Sequence, residues 1–419
     1  MCIVFCSASS RYSLIVAANR DEFLARPTAP AHWHTWDQAA PDREHSGLRV
    51  LSGLDLSAGG TWFGISLPAN QDGPRRMHFA TLTNYTETLD PNAPPKPSRG
   101  NLVRSFLDEV ASPHQGEGSL APPDALQAHL DRLEQTKHAY AGFNLLVGQV
   151  HLGPGCGPDP HTTSRVRLGY TSNREHPHKR ARVLPSLDPV SEDSQGGDLT
   201  AARRVQVRGL SNATLEVEPG EVEWPKVKSG AEAVARTVER IDADSTQDPA
   251  SAEEALIDGL YAALSTAHPD PVEQREGLRH TVLVRPLCID PAQALPSLPP
   301  PRPPAPASAL KPDDPVPAAP ESEREQSAQP ESSSSADNGG GGVNGQWYAT
   351  RVQTLLLVER DTGRVVFLER DAYVLDTATP TAGSASGANG GEVEAKEEQR
   401  GAGGRPRWGG ETRRFEFRL

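Results

Sequence analysis

Two short apolar runs open the chain, residues 2–6 and 12–18, divided only by a turn-like stretch at 7–11. Both are rich in β-branched and aromatic residues and far too short to span a membrane, so together they predict a β-hairpin. Neither alternates apolar with polar side chains. That pattern belongs to strands buried on both faces. The second run leads straight into Asn19-Arg20-Asp21-Glu22, and a hairpin returns that end of the strand to Cys2. Polar and charged groups at the end of a buried strand are costly unless they are paired or used.

Further strands are expected at 62–67, 78–83, 143–150, 166–171, 281–284, 354–358 and 365–369. Helices are fewer. Residues 101–109 carry Leu102, Val103, Phe106 and Leu107 behind Asn101 or Ser98 as the cap. Residues 123–133 begin with Pro and repeat Leu126, Leu130 and Leu133 on one face. Ser251-Ala252-Glu253-Glu254 has capping-box form ahead of Leu256, Leu260 and Leu264. Many strands with a few flanking helices predict α+β layers.

The 39 prolines and 37 glycines are spread unevenly, and much of the excess lies in two stretches, 291–345 and 377–410, which hold few large apolar side chains. Such segments cannot offset the entropy of ordering, so both are expected to be disordered. Beyond the second, Phe415, Phe417 and Leu419 alternate with charged residues and promise one more strand. The pair therefore read as insertions within a single domain spanning 1–419, since long loops add little closure entropy.

A net charge of −13 gives no basis for a nucleic-acid partner. No apolar run reaches 18 residues and no basic leader precedes the first run, so neither a membrane span nor a signal peptide is expected. Four cysteines without CxxC spacing suit a reduced, cytoplasmic compartment. The pairs His32/His34 and His176/His178 lack ligand-spaced companions, and no metal is expected. The glycines at 339–345 lack the Lys of a phosphate cradle, and the basic run 179–182 reads as a solvated surface.

The chemistry concentrates at Cys2. Aminopeptidase removes Met1 before small residues, which would make Cys2 the first residue, with an α-amine of pKa about 7.7–8.0 able to accept the thiol proton. Asp21 could hold that amine, Arg20 could hold Asp21 or a substrate anion, and Asn19 could donate to an oxyanion. Asn84 and Asn173 each follow an expected strand, Asn212 follows the apolar run 205–207, and all three offer further amide donors, though any one of them also suits a turn.

Met1-Cys2, Asn19-Arg20-Asp21-Glu22, the segment from Ala58 through Gly64 and Leu82-Thr83-Asn84-Tyr85 resemble the NRDE family, that of the transport and Golgi organisation protein 2. So do Ser98-Arg99-Gly100, Gly142-Phe143-Asn144, Gly209-Leu210-Ser211-Asn212-Ala213, Trp224-Pro225-Lys226-Val227 and the run from Tyr348 to Thr354. The resemblance implies a four-layer αββα sandwich of the N-terminal-nucleophile hydrolase type, nearest the enzymes that cleave bile-acid and penicillin amides. It casts Cys2 as nucleophile, Asp21 as orienter of the amine, Asn84 and either Asn173 or Asn212 as oxyanion donors, and Arg351 as a later arginine. Asn19, Arg20 and Glu22 then border the substrate. One departure is Leu54, where the family has a basic residue.

The family carries no settled reaction. The resemblance implies Golgi organisation and protein secretion, and also haem movement and mitochondrial lipid metabolism. Two functions are therefore expected to compete. In one, a cleft at Cys2 carries a lipid, acyl group or haem, with no resident cofactor. In the other, Cys2 hydrolyses a small amide or thioester. A scaffold role through the insertions is a third.

Overall fold

The computed structural model describes residues 2–36, 49–68, 75–85, 94–109, 125–152, 166–175, 179–187, 205–216, 223–244, 246–272, 275–289, 346–376 and 404–419. The opening hairpin is β1 (Ile3–Ser7) and β2 (Tyr12–Phe23). Next come β3 (Thr28–His34), β4 (Arg49–Asp55), β5 (Phe63–Leu67) and β6 (Arg75–Asn84). Helices α1 (Gly100–Glu109) and α2 (Ala125–Thr136) precede β7 (Phe143–Leu152), β8 (Val166–Ser172), β9 (Arg182–Val183) and β10 (Val207–Leu210). Helices α3 (Pro225–Ala243) and α4 (Pro249–Leu264) lead to β11 (Leu287–Ile289), β12 (Gln346–Glu359), β13 (Arg364–Asp371) and β14 (Tyr373–Leu375). The chain closes with β15 (Pro406–Trp408) and β16 (Thr412–Arg418).

These strands form two seven-stranded sheets and a small β14–β15 ribbon. The first sheet runs β10-β1-β2-β12-β13-β16, with β11 beside β12, and the second runs β3 through β9 in chain order. Every described pairing is antiparallel. The fold is thus mixed α and β, with antiparallel sheets and few helices.

The period of two along a strand sorts the cores. In β2, Leu14, Val16 and Ala18 pack with Phe63, Ile65, Met77 and Phe79 of the second sheet. The intervening Ile15 and Ala17 pack instead with Val234 and Val238 of α3 and Leu256 and Leu260 of α4. On the far face of the second sheet, Val103 and Phe106 of α1 and Leu126 and Leu130 of α2 cover Val50, Ala80, Leu145 and Val147. Both faces of β2 are covered, which is why its apolar run is unbroken. Phe415, Phe417 and Leu419 lie on one face of the last strand, against the core between the sheets.

Three local expectations are corrected. Residues 281–284 form no strand: the N–H groups of Val282 and Leu283 donate to the carbonyl of Thr266 across a bend. Helix α4 begins at Pro249, before the Ser251 box, because the Asp248 carboxylate accepts from the N–H groups of Ala250 and Ser251. Helix α3 was not foreseen at all. Residues 291–345, expected to be disordered, lie outside the described residues, as do 377–403. The last part of the second stretch, 404–410, is described and carries β15.

Candidate functional site

The register Ile3↔Asn19 sets the geometry, because the next step along the hairpin brings Cys2 to Arg20. On the other side of β2, Asp21 pairs with Thr350 and Glu22 with Ala349, and an irregularity between Thr350 and Val352 leaves Arg351 as the extra residue. Strand β10 adds a third wall. Just beyond it, the Ser211 hydroxyl donates to the Cys2 carbonyl at 2.7 Å and so ties down the start of β1. Ser211 is itself held: its carbonyl accepts from the Thr83 hydroxyl and, at 3.0 Å, from Asn144 Nδ2.

A pocket opens between the sheets here, lined by Cys2, Arg20, Trp62, Phe63, Thr83 and Thr354 among others. Its free space is about 10 Å³, room for about one water molecule. Only Cys2 and Trp62 of the lining are less than fully buried, so these two stand at its mouth. The Arg20 guanidinium lies over the Trp62 ring, 3.9 Å from the centroid. Trp62 is held in place by a glycine turn. Gly59 takes φ +69°, and a Cβ on Gly60 would come within 2.6 Å of the Gly100 carbonyl carbon at the start of α1.

Burial pushes the Cys2 thiol above its ordinary value of 9.0, and the Asp21 carboxylate adds to this, while the charge of the N-terminal amine, the Asp21 backbone N–H and the Arg20 guanidinium pull it back. The thiol is therefore neutral at rest. Asp21 is buried and accepts from the Thr350 hydroxyl at 2.6 Å. Glu22 lies 3.6 Å from Arg20 Nη2 and 3.8 Å from Arg26 Nε.

Other expected members have other work. Asn19 lines the pocket, but its Nδ2 donates to the carbonyls of Leu264 and Val282, and its Oδ1 accepts from Gln353. It fastens the end of α4 to β2. Asn173 is spent on the loop before β7, donating to the carbonyls of Lys137, Tyr140 and Ala141 and accepting from Phe143 N–H. Asn212 sits beside Cys2, accepting from Ser211 and donating to the Asn84 carbonyl, while the Asn84 residue itself is half-buried. The Arg351 guanidinium donates to the carbonyls of Phe23 and Arg26, at the turn after β2. Burial, and then the Arg20 charge, hold it down to about 10. Leu54 is half-buried opposite Ala29.

Lys226 is the residue that sequence reasoning missed. It is the second residue of α3, fully buried, with no hydrogen-bond partner for Nζ. Burial pushes its ammonium below the ordinary 10.5, opposed by the charges of Asp21 and Cys2. The motif Trp224-Pro225-Lys226-Val227 was visible; that its Lys would be buried beside Asp21 was not.

The rings of His32 and His34 lie 5.0 Å apart, tilted at 42°, and His34 bonds to Ser52; among the described residues no three His, Cys, Asp or Glu side chains gather as metal ligands. Residues 176–178 lie outside the described residues. The basic run is partly paired, with Lys179 on Glu216 and Arg182 on Glu175 and Glu216. No described helix is long and apolar enough to cross a membrane.

The family model for Transport and Golgi organisation 2 matches residues 1–374. The chain belongs to that family. A bovine transport and Golgi organization protein 2 homolog is 31% identical over 300 residues, covering 68% of this chain and 80% of its own. The human homolog is 30% identical over 290 residues, covering 66% and 77%. An uncharacterized protein of Saccharomyces cerevisiae is 25% identical over 387 residues, 90% of this chain and 93% of its own. The matched span takes in every family motif quoted above, and so the whole wall around Cys2.

Proposed function

We propose that this member of the transport and Golgi organisation 2 family serves Golgi organisation and protein secretion by holding or handing on a small molecule at the Cys2 pocket. The observation that carries this reading is the Cys2 thiol: it stands at the mouth of a pocket, yet burial keeps it protonated. To attack, the thiol must first give its proton to a base. An acyl or lipid contact needs no ionisation. The pocket admits a water-sized group, so the ligand inserts a small polar end while its bulk stays outside or opens the site. A lipid or acyl group fits that description best, and haem would need a wider opening. The protein would act in the cytoplasm, at the Golgi or at mitochondria.

Haemin titration, read in the visible, separates the ligands: a Cys2-dependent band supports haem, and an unchanged spectrum removes it. A fluorescent fatty-acid analogue tests the acyl version. If it shows no saturable binding that Cys2→Ala weakens, the binding reading falls.

A second reading is hydrolysis of a small amide or thioester on a sandwich of the N-terminal-nucleophile type. What favours it is the grouping of Cys2, Asp21 and Asn212, together with helices on both outer faces of the paired sheets. With Met1 removed, the Cys2 amine takes the thiol proton, the sulfur attacks the carbonyl, and the leaving amine or thiol takes the proton back. Water then releases the acyl group. Intact mass showing retained Met1 would remove this reading, because Cys2 would have no amine of its own.

A further inference from the structure

Arg20 is 5% exposed, and its Nη1 has no hydrogen-bond partner. Burying a guanidinium nitrogen without an acceptor costs on the order of a few kcal/mol, and folded proteins rarely leave such a donor idle. The same side chain lines the Cys2 pocket and is braced over the Trp62 ring. Its other nitrogen, Nη2, looks toward Glu22 at 3.6 Å. One edge of the fork is thus turned toward Glu22, and the other is enclosed without an acceptor in a side chain that lines the Cys2 pocket.

We propose that Arg20, braced on Trp62, is the anchor for a carboxylate on the molecule that the Cys2 pocket takes. This rests on the reading that a small molecule binds there. Three features select a carboxylate. A planar guanidinium stacked on a ring presents its donors in one plane, which is the plane a carboxylate matches. A phosphate needs donors on several sides, and the neighbouring guanidinium, Arg351, already gives Nη1 to the carbonyls of Phe23 and Arg26. The free space suits one oxygen-sized group at a time, so the carboxylate enters edge-on as Trp62 shifts. Once seated, it completes the Nη1 bond and sets the carbon next to it against the Cys2 sulfur.

Two alkylating agents test this without knowledge of the natural ligand. Iodoacetate carries a carboxylate and iodoacetamide does not; in both, the sulfur bonds to carbon as iodide leaves. Taking the ratio of their rates cancels the reactivity of the thiol itself. The exposed Cys288 supplies an internal reference in the same molecule, and the buried Cys6 should stay unlabelled while the fold is intact.

The iodoacetate-to-iodoacetamide ratio at Cys2 should exceed that at Cys288 by about tenfold, the effect of one charge-assisted hydrogen bond. Arg20→Gln should bring the two ratios together. Arg20→Lys, which keeps the charge but loses the planar fork, should remove most of the preference. Equal ratios in the wild-type protein overturn the anchor, and they do so without any variant having to fold. A full preference in Arg20→Lys also overturns it, since charge alone would then suffice. If neither reagent reaches Cys2 while Cys288 reacts, the accessible-pocket reading itself fails. The two failures are therefore distinct.

Discussion

The Thr350 hydroxyl donates a 2.6 Å hydrogen bond to Asp21 across the β2–β12 pair, deep inside the first sheet. The same oxygen accepts from the Val284 backbone N–H at 2.8 Å, so one small side chain ties a buried carboxylate to a segment outside the strands. Thr350→Val keeps the shape and deletes both bonds. It should lower unfolding stability by about 1–3 kcal/mol, read as a fall in denaturant midpoint. Unchanged stability would show that the Asp21 carboxylate does not depend on this bond.

Lys226 should make stability depend on pH with an unusual sign. Its ammonium is pushed below 10.5 by burial, so the unfolded chain holds that proton more tightly than the folded one. Folding stability from this group therefore rises with pH between its folded value and 10.5, where ordinary surface lysines contribute nothing. The measurement is the difference in unfolding free energy between wild type and Lys226→Met from neutral pH to about 10. The variant should be relatively more stable at the neutral end, and a difference that is flat with pH would contradict the prediction.

Gly60 meets the backbone of Gly100 so closely that even one added methyl must move α1 or the turn bearing Trp62. Gly60→Ala should cost about 1–3 kcal/mol by overpacking. Because the turn carries Trp62, tryptophan fluorescence should shift as well. A variant with wild-type stability and emission would mean that the contact relaxes freely.

Glu253 is a charged residue in a buried position of α4, answered by bidentate bonds from Arg364 and one from Arg414. Burial acts to raise its carboxyl pKa, but those hydrogen bonds win and hold it below 4.5. Its contribution to stability is accordingly present above pH about 4.5 and fades as pH falls through the lower, folded value. Glu253→Gln should cost about 2 kcal/mol at neutral pH, the low side for a buried pair because Arg364 keeps Glu359 and Glu416. Acid titration of the unfolding free energy should show the gap between variant and wild type closing.

The parts that were legible share a cause. Strands β1 and β2 are buried on both faces, so their apolar runs stand out, and Phe415 and Phe417 in β16 announce themselves by alternation. Helix α3 hid because its inner face uses Gly230, Val234 and Val238, with small residues between, and opens on Trp224-Pro225, which reads as a motif. The Ser251 box was out-competed by Asp248, whose carboxylate reaches two N–H groups one turn earlier. At the site, Cys2 and Arg20 could be placed together because the hairpin is local. Which way Asn19 donates, and that Lys226 is enclosed, depend on partners some two hundred residues away, and Asn173 answers to a loop more than thirty residues before it. Residue type alone carries no sign of that.

The position of β12 in the first sheet has a consequence for how the molecule comes into being. Strand β2 is complete at residue 23, yet its neighbour on one side begins at residue 346. A ribosome adding about 5–20 residues per second needs tens of seconds to cover that gap. For all of that time the early hairpin has an unpaired edge and two oily faces. Safe delivery of this protein depends on what shelters its first strands during translation, and a cell short of such shelter would lose the Cys2 site before it ever formed.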